Sequence, residues 1–154
     1  GHAQAAGLNI KKENLAKFVE AMTEYASQKL AQLVDKPAIS IDSELEEKDI
    51  NEDLMKFLEQ MEPFGPANAQ PLFLIKNVRH KFAKRVGKDQ NHLSFQAYLN
   101  NNEKNKMAVI AYGFGEHKNI LEQHAELDIV CNLERNEWNG RSQLQLRVVD
   151  FAHP

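Results

Sequence analysis

The sequence predicts an α+β protein in which helices come first and an all-β unit follows. Three observations carry this. Residues 11–33 and 51–61 repeat their apolar side chains every three or four positions, the period of one helix face. From Leu72 onward apolar and polar residues alternate, the period of a strand with one buried face. Between the two regimes, residues 62–71 hold three of the five prolines, and Pro suits neither a helix interior nor a central strand.

Residues 3–10 read as one short strand, weakened by Gly7 and three alanines. In the helix that follows, Leu15, Phe18, Val19, Met22, Ala26, Leu30 and Leu33 form a stripe expected to pack against a sheet or another helix. Pro37 ends that segment. Ala38–Asp42 alternates as a short strand with Ile39 and Ile41 on one side. Ser43–Asp53 is dense in carboxylates but holds no His or Cys, which reads as a solvated face or linker rather than a metal site. Asn51 caps a second helix whose buried stripe is Leu54, Phe57, Leu58 and Met61. The Pro-rich residues 62–71 read as a rigid connector containing the domain boundary.

Five strands follow. Leu72–Lys88 is long and interrupted at turn-prone Asn77. In its second half Val78, Phe82 and Val86 share one face, and Arg79, Lys81 and Arg85 the other. After the turn at 87–91, Leu93, Phe95, Ala97 and Leu99 face in, while His92, Ser94, Gln96 and Tyr98 face out. Met107–Phe114 is almost wholly apolar, and residues 115–124 have helical spacing. Leu127, Ile129, Cys131 and Leu133 then alternate with Asp128, Val130, Asn132 and Glu134. Asn139-Gly140 accepts positive φ at both centres of a two-residue turn and so predicts a hairpin with Leu144–Phe151. Three strands, a helix and two strands over residues 72–154 is the plan of a five-stranded OB-fold barrel. A sandwich or another small barrel could give similar strings.

The formal charge of −3 is unevenly spread. Residues 1–71 carry 7 basic and 13 acidic side chains; residues 72–154 carry 12 and 9. Only the second part would attract a polyanion. OB-folds hold single strands with cations along the phosphates and aromatic rings under the bases. Lys76, Arg79, Lys81, Lys84, Arg85 and Lys88 lie within 13 residues with no carboxylate among them, Tyr98 is on an outward face, and Trp138 and Arg141 flank the hairpin turn. These are the candidate nucleic-acid-binding residues. The alternative is structural: basic strand edges also prevent edge-to-edge pairing, and a turn Trp often covers a barrel end.

No catalytic constellation appears. The six histidines form no His-x-x-x-His grouping, no Walker-type loop occurs, and the lone Cys131 reads as a small buried hydrophobe. One cysteine rules out a disulfide within the chain and suits a reducing, cytoplasmic setting. No run of about 18 apolar residues is present to span a membrane.

Three segments carry a family resemblance. Gly1-His2-Ala3-Gln4-Ala5-Ala6-Gly7 looks like the Gly-Gly-His-x-x-Ala-Ala-Gly motif of DHH-associated domains, entered one glycine late. Residues from Met61 to Asn68, with Gln70-Pro71-Leu72-Phe73, resemble the Leu-Glu-Pro-Phe-Gly-x-Gly-Asn-x-x-Pro-x-Phe segment of RecJ exonucleases, differing at Ala67 where Gly is usual. Asn136-Glu137-Trp138-Asn139-Gly140, Leu144-Gln145-Leu146 and Asp150-Phe151 resemble the end of the RecJ OB-domain. The resemblance implies a tail of a DHH-associated domain at 1–35, a strand-helix connector at 36–71 and an OB-domain at 72–154. It implies the C-terminal part of a single-strand-specific 5′→3′ DNA exonuclease of recombination and repair. The Mn²⁺ or Mg²⁺ of that enzyme would be held by an upstream DHH domain and none by this part, which is expected to bind without cutting. The resemblance also implies that Gly1 and His2 contact a substrate phosphate. The partners expected are single-stranded DNA, the DHH domain, and repair proteins such as a helicase or a single-strand-binding protein. Two other readings stand beside this one: an OB-type interdomain clamp or protein-interaction module with little DNA affinity, and a DHH-family phosphodiesterase for very short oligonucleotides.

Overall fold

The alternating segments beyond the Pro-rich stretch close into a barrel. The computed structural model describes residues 5–31, 38–99, 105–138 and 140–152. Its elements are α1 (Leu15–Leu30), β1 (Ser43–Glu44), α2 (Glu52–Gln60), β2 (Phe73–Val86), β3 (His92–Tyr98), β4 (Lys106–Ala111), α3 (Lys118–Gln123), β5 (Glu126–Trp138) and β6 (Arg141–Ala152). β2–β3, β3–β4 and β5–β6 are antiparallel, and β4–β6 is parallel. The first half of β2 also pairs with β5, which closes the sheet in the order β2-β3-β4-β6-β5. This is the OB-fold plan, with α3 between its third and fourth strands. The short β1 adds a sixth strand, parallel to the start of β2.

One strand can serve two neighbours only if it bends. β2 does so at two register shifts, between Ile75 and Val78 and between Lys81 and Lys84. Asn77 and Phe82, at φ 53° and 59°, sit inside these shifts. Extra residues of this kind bend a strand and sharpen its twist. The hairpin forms as the Asn139-Gly140 pair predicts: Trp138 lies opposite Arg141 and Gly140 has φ 72°.

The barrel interior holds Val78, Leu93, Phe95, Val109, Leu127, Ile129, Cys131, Leu133, Leu146 and Val148, all at 4% exposure or less. Each such aliphatic or aromatic side chain contributes roughly 1.5–3 kcal/mol by leaving water. Burial pushes the Cys131 thiol up to about 12, so it is a protonated core residue. Asn51 accepts from the backbone N–H groups of Asp53 and Leu54 and caps α2 as expected. That helix adds Met55 and Leu58 to the core, with Leu54 and Met61 half-buried. Phe57, predicted in this stripe, is instead 59% exposed. Met55, two residues before it, takes an inward place that the sequence spacing did not assign.

The chain divides between Ile39 and Ser40 into two units. The Pro-rich stretch therefore lies within the barrel unit. Its Gly65 and Asn68 exchange backbone hydrogen bonds. Asn132 donates to the Pro71 carbonyl and Arg147 to Gln70, which ties the stretch to the barrel wall. Rigid turns can dock as readily as they separate. Residues 38–42, expected as a strand, precede β1 instead, with Ile39 and Ile41 exposed.

In the other unit, α1 forms where the spacing places it, but Leu15, Val19, Met22 and Leu30 are exposed and only Phe18 and Ala26 are half-buried. The expected packing of this stripe is not found among the described residues. A periodic stripe shows that a face is apolar; it does not supply the face's partner. Residues 6–11 form no strand.

Candidate nucleic-acid interface

The pairing register sorts side chains between the inside and outside of the barrel. Leu93, Phe95 and Ala97 point in, so their neighbours His92, Ser94, Gln96 and Tyr98 belong to the outer face. Opposite these on β2 lie Val86, Lys84, Lys81 and Arg79; opposite the last three on β4 lie Ile110, Ala108 and Lys106. The outer strip of β2–β3–β4 thus carries Arg79, Lys81, Lys84 and Lys106. None of these three strands contains an Asp or Glu.

This corrects the face assigned to β2 from alternation. The expected set was Arg79, Lys81 and Arg85 outside, with Val78, Phe82 and Val86 inside. The register shift between Lys81 and Lys84 inverts the order. Lys84, opposite Ser94, joins the outer strip, while Arg85, opposite Leu93, crosses to the other side. Ala83 packs against the core and Phe82 is 71% exposed. Arg85 is nonetheless exposed. Together with Lys84, Gln90, Glu116, Lys118 and Glu122 it lines a cleft of about 650 Å³ between β2 and α3.

The other predicted residues fall into distinct settings. Lys76 pairs with Glu44 at 2.8 Å; the hydrogen bond and charge of that carboxylate raise its pKa. Glu46 and Glu47 share its cleft, so its charge is spent locally. Among the described residues no carboxylate pairs with Arg79, Lys84, Arg85 or Lys88. Lys88 is exposed in the β2–β3 turn, and Arg141 is exposed beside the β5–β6 turn. Trp138 lies opposite Arg141 in the register. Gly1 and His2 lie outside the described residues. Tyr98 is on the outer side of β3 but only 7% exposed. The Lys81 ammonium stands 5.3 Å from its ring centre, and its hydroxyl donates to Gln96. It is a covered ring, not the open platform expected from alternation.

Sequence reasoning missed Phe82, Tyr112 and Lys106. Tyr112 is 56% exposed, with its ring edge-on to His92 at 5.2 Å. Lys106 was detectable from its period-two spacing with Ala108 and Ile110. Phe82 was not, because its exposure depends on an inserted residue that alternation does not reveal.

Beyond β4 the strip ends at Arg147, whose guanidinium is tied to Glu134, Asn132 and Gln70. Arg135 is likewise held by Glu52 and Glu59 of α2. These two arginines serve structure. The exposed cations of the outer strip lie on β2 and β4, a setting suited to a chain of phosphates. Among the described residues no three His, Cys, Asp or Glu side chains come together as metal ligands, and no helix is long and apolar enough to cross a membrane.

Comparison with known proteins agrees with this architecture. Over its whole length the chain is 25% identical to the single-stranded-DNA-specific exonuclease RecJ of Bacillus subtilis, covering 99% of this chain and 19% of that protein. It is also 25% identical to the Thermus thermophilus RecJ, covering 100% and 21%. The crystal structure of T. thermophilus RecJ in complex with Mn²⁺ superposes with a TM-score of 0.64 at 24% identity, over 96% of this chain and 20% of that one. The chain thus spans about a fifth of the length of these relatives. The family model of the RecJ OB domain matches residues 41–150, from just before β1 to within two residues of the end of β6, and the chain belongs to that family.

Proposed function

We propose that this chain grips single-stranded DNA for a RecJ-type 5′→3′ exonuclease of recombination and repair. The observation that carries the reading is the outer strip of β2–β3–β4, where Arg79, Lys81, Lys84 and Lys106 are grouped on strands without a carboxylate. Phosphates dominate nucleic-acid affinity, and a cation strip of this kind follows a single backbone without reading sequence. The described residues do not gather a metal-ligand set. Mn²⁺ or Mg²⁺ chemistry is assigned, as the family resemblance implies, to an upstream DHH domain, with Gly1 and His2 at the substrate phosphate. The setting is the cytoplasm, and the further partners are a helicase or a single-strand-binding protein.

The test is titration of a labelled single-stranded oligonucleotide into the chain over a range of salt, beside a duplex of the same length. Affinity for the single strand that falls steeply with salt is expected. Equal or absent binding of both would sink the proposal. In that case the second reading, an interdomain clamp, takes its place; the uncovered apolar stripe of α1 favours it.

A further inference from the structure

We infer that Phe82 is a base-stacking residue of the single-strand site, an inference that rests on the reading above. Among the described residues it is the most exposed large apolar side chain, at 71%. It sits between Lys81 and Lys84, inside the register shift that bends β2.

Two features make this exposure unexpected. In an unbroken strand, Lys81 outside would place Phe82 inside and Ala83 outside. The inserted residue reverses this: small Ala83 packs against the core, and the large ring goes to solvent. Phe82 also holds φ at 59°, a left-handed backbone that is an outlier for a bulky side chain. Bulges are known to re-aim side chains at functional positions, and strained backbone clusters at such positions. Both terms weigh against the isolated fold, and a ligand that covers the ring would offset them.

The surroundings specify that ligand. Lys81 precedes Phe82 and Lys84 follows it two residues on, with Arg79 and Arg85 nearby in sequence, and no acidic residue lies on β2, β3 or β4. The ligand must therefore present a flat apolar face next to negative charge. A single DNA strand does so at every nucleotide, whereas a duplex keeps its bases stacked within. The sequence-predicted platform, Tyr98, is already covered by Lys81. Phe82 supplies an exposed ring on β2, within the stretch of strand that carries the strip's cations.

The experiment compares oligothymidylate with an abasic strand of equal length, using the chain and its Phe82→Ala, Phe82→Leu and Phe82→Trp variants. Removing one base stack corresponds to a weakening of roughly 5- to 150-fold. We expect that loss for oligothymidylate with Ala and Leu, retention with Trp, no change for the abasic strand, and an unchanged salt slope because no charge is removed. Equal weakening for both strands would show a structural role and overturn the inference. So would unaltered oligothymidylate affinity in Phe82→Ala while removal of Arg79, Lys81 and Lys84 still weakens binding; there the proposed function survives. If the unsubstituted chain binds neither strand, the inference and the proposed function fail together.

Discussion

Replacing Arg79, Lys81 and Lys84 together by Ala tests both the interface and the bulge that assembles it. For single strands, each neutralised phosphate contributes about 0.7 to the slope of log affinity against log salt. Without these three cations the slope should flatten by about 2. Between about 50 and 200 mM salt each neutralised phosphate changes affinity by about 2.6-fold, so the triple variant should lose about 18-fold of the salt sensitivity. Fluorescence anisotropy with a labelled oligothymidylate, repeated across that range, measures both slopes. Single variants then separate the register from simple alternation. Lys84 lies opposite Ser94 on the outer strip and Arg85 opposite inward-facing Leu93. Lys84→Ala should flatten the slope by about 0.7, and Arg85→Ala should leave it nearly unchanged. A slope that responds to Arg85 and ignores Lys84 would refute the placement of these side chains.

Two further predictions concern the scaffold. A Cβ on Gly115 would lie 2.5 Å from the Gln90 carbonyl oxygen and 2.7 Å from Asn91 backbone atoms, so the β2–β3 turn must move. Gly115→Ala should cost about 1–3 kcal/mol, lowering Tm by about 4–12 °C for a unit of this size, and an unchanged melting curve would refute the close approach. The second concerns Arg135, which donates to both oxygens of Glu52 and to Glu59. Its hydrogen bonds hold the Glu52 pKa below 4.5. A carboxylate lowered by folding stabilises the fold above its unfolded pKa and loses that effect as pH falls through the folded value. The Tm advantage of the chain over Glu52→Gln should therefore be present at neutral pH and vanish in acid; a difference independent of pH would contradict the pairing.

Much of the barrel was legible because its signals are local and redundant. Leu127, Ile129, Cys131 and Leu133 alternate without interruption, and all four are buried. Asn139-Gly140 names its own turn. The Asn51 cap required only a side-chain oxygen near two free N–H groups. What failed to show was set by partners distant in sequence. Phe57 and Met55 both fit a helical stripe, and only packing on the barrel decides between them. Lys76 looked like any other cation in its run until β1 brought Glu44 to it. Likewise Arg147 reads as one more outward-facing cation, and only the fold brings Glu134, Asn132 and Gln70 around it.

The candidate site failed to show for a different reason, which lies in β2 itself. Closing a five-stranded barrel asks this strand to pair with β5 through its first half and with β3 through its second. The bend needed at each change of course inserts a residue, and each insertion reverses which side chains point outward. Composition still located the cations, since six basic residues within 13 positions are visible whatever the register. It could not say which of them share a face. The same bend that closes the barrel keeps Lys84 on the side of Arg79 and Lys81 and leaves Phe82 exposed in the strand between them. A variant that removed the inserted residue would restore strict alternation and turn the ring inward opposite Phe95, while Lys84 kept its place opposite Ser94. Fold closure and the shape of the DNA-facing strip are on this account one structural event, so deleting Ala83 should weaken single-strand binding even though no charge is lost. The salt slope should stay the same because every cation keeps its face, and a deletion variant that folds and binds with the original affinity would show that the two are independent.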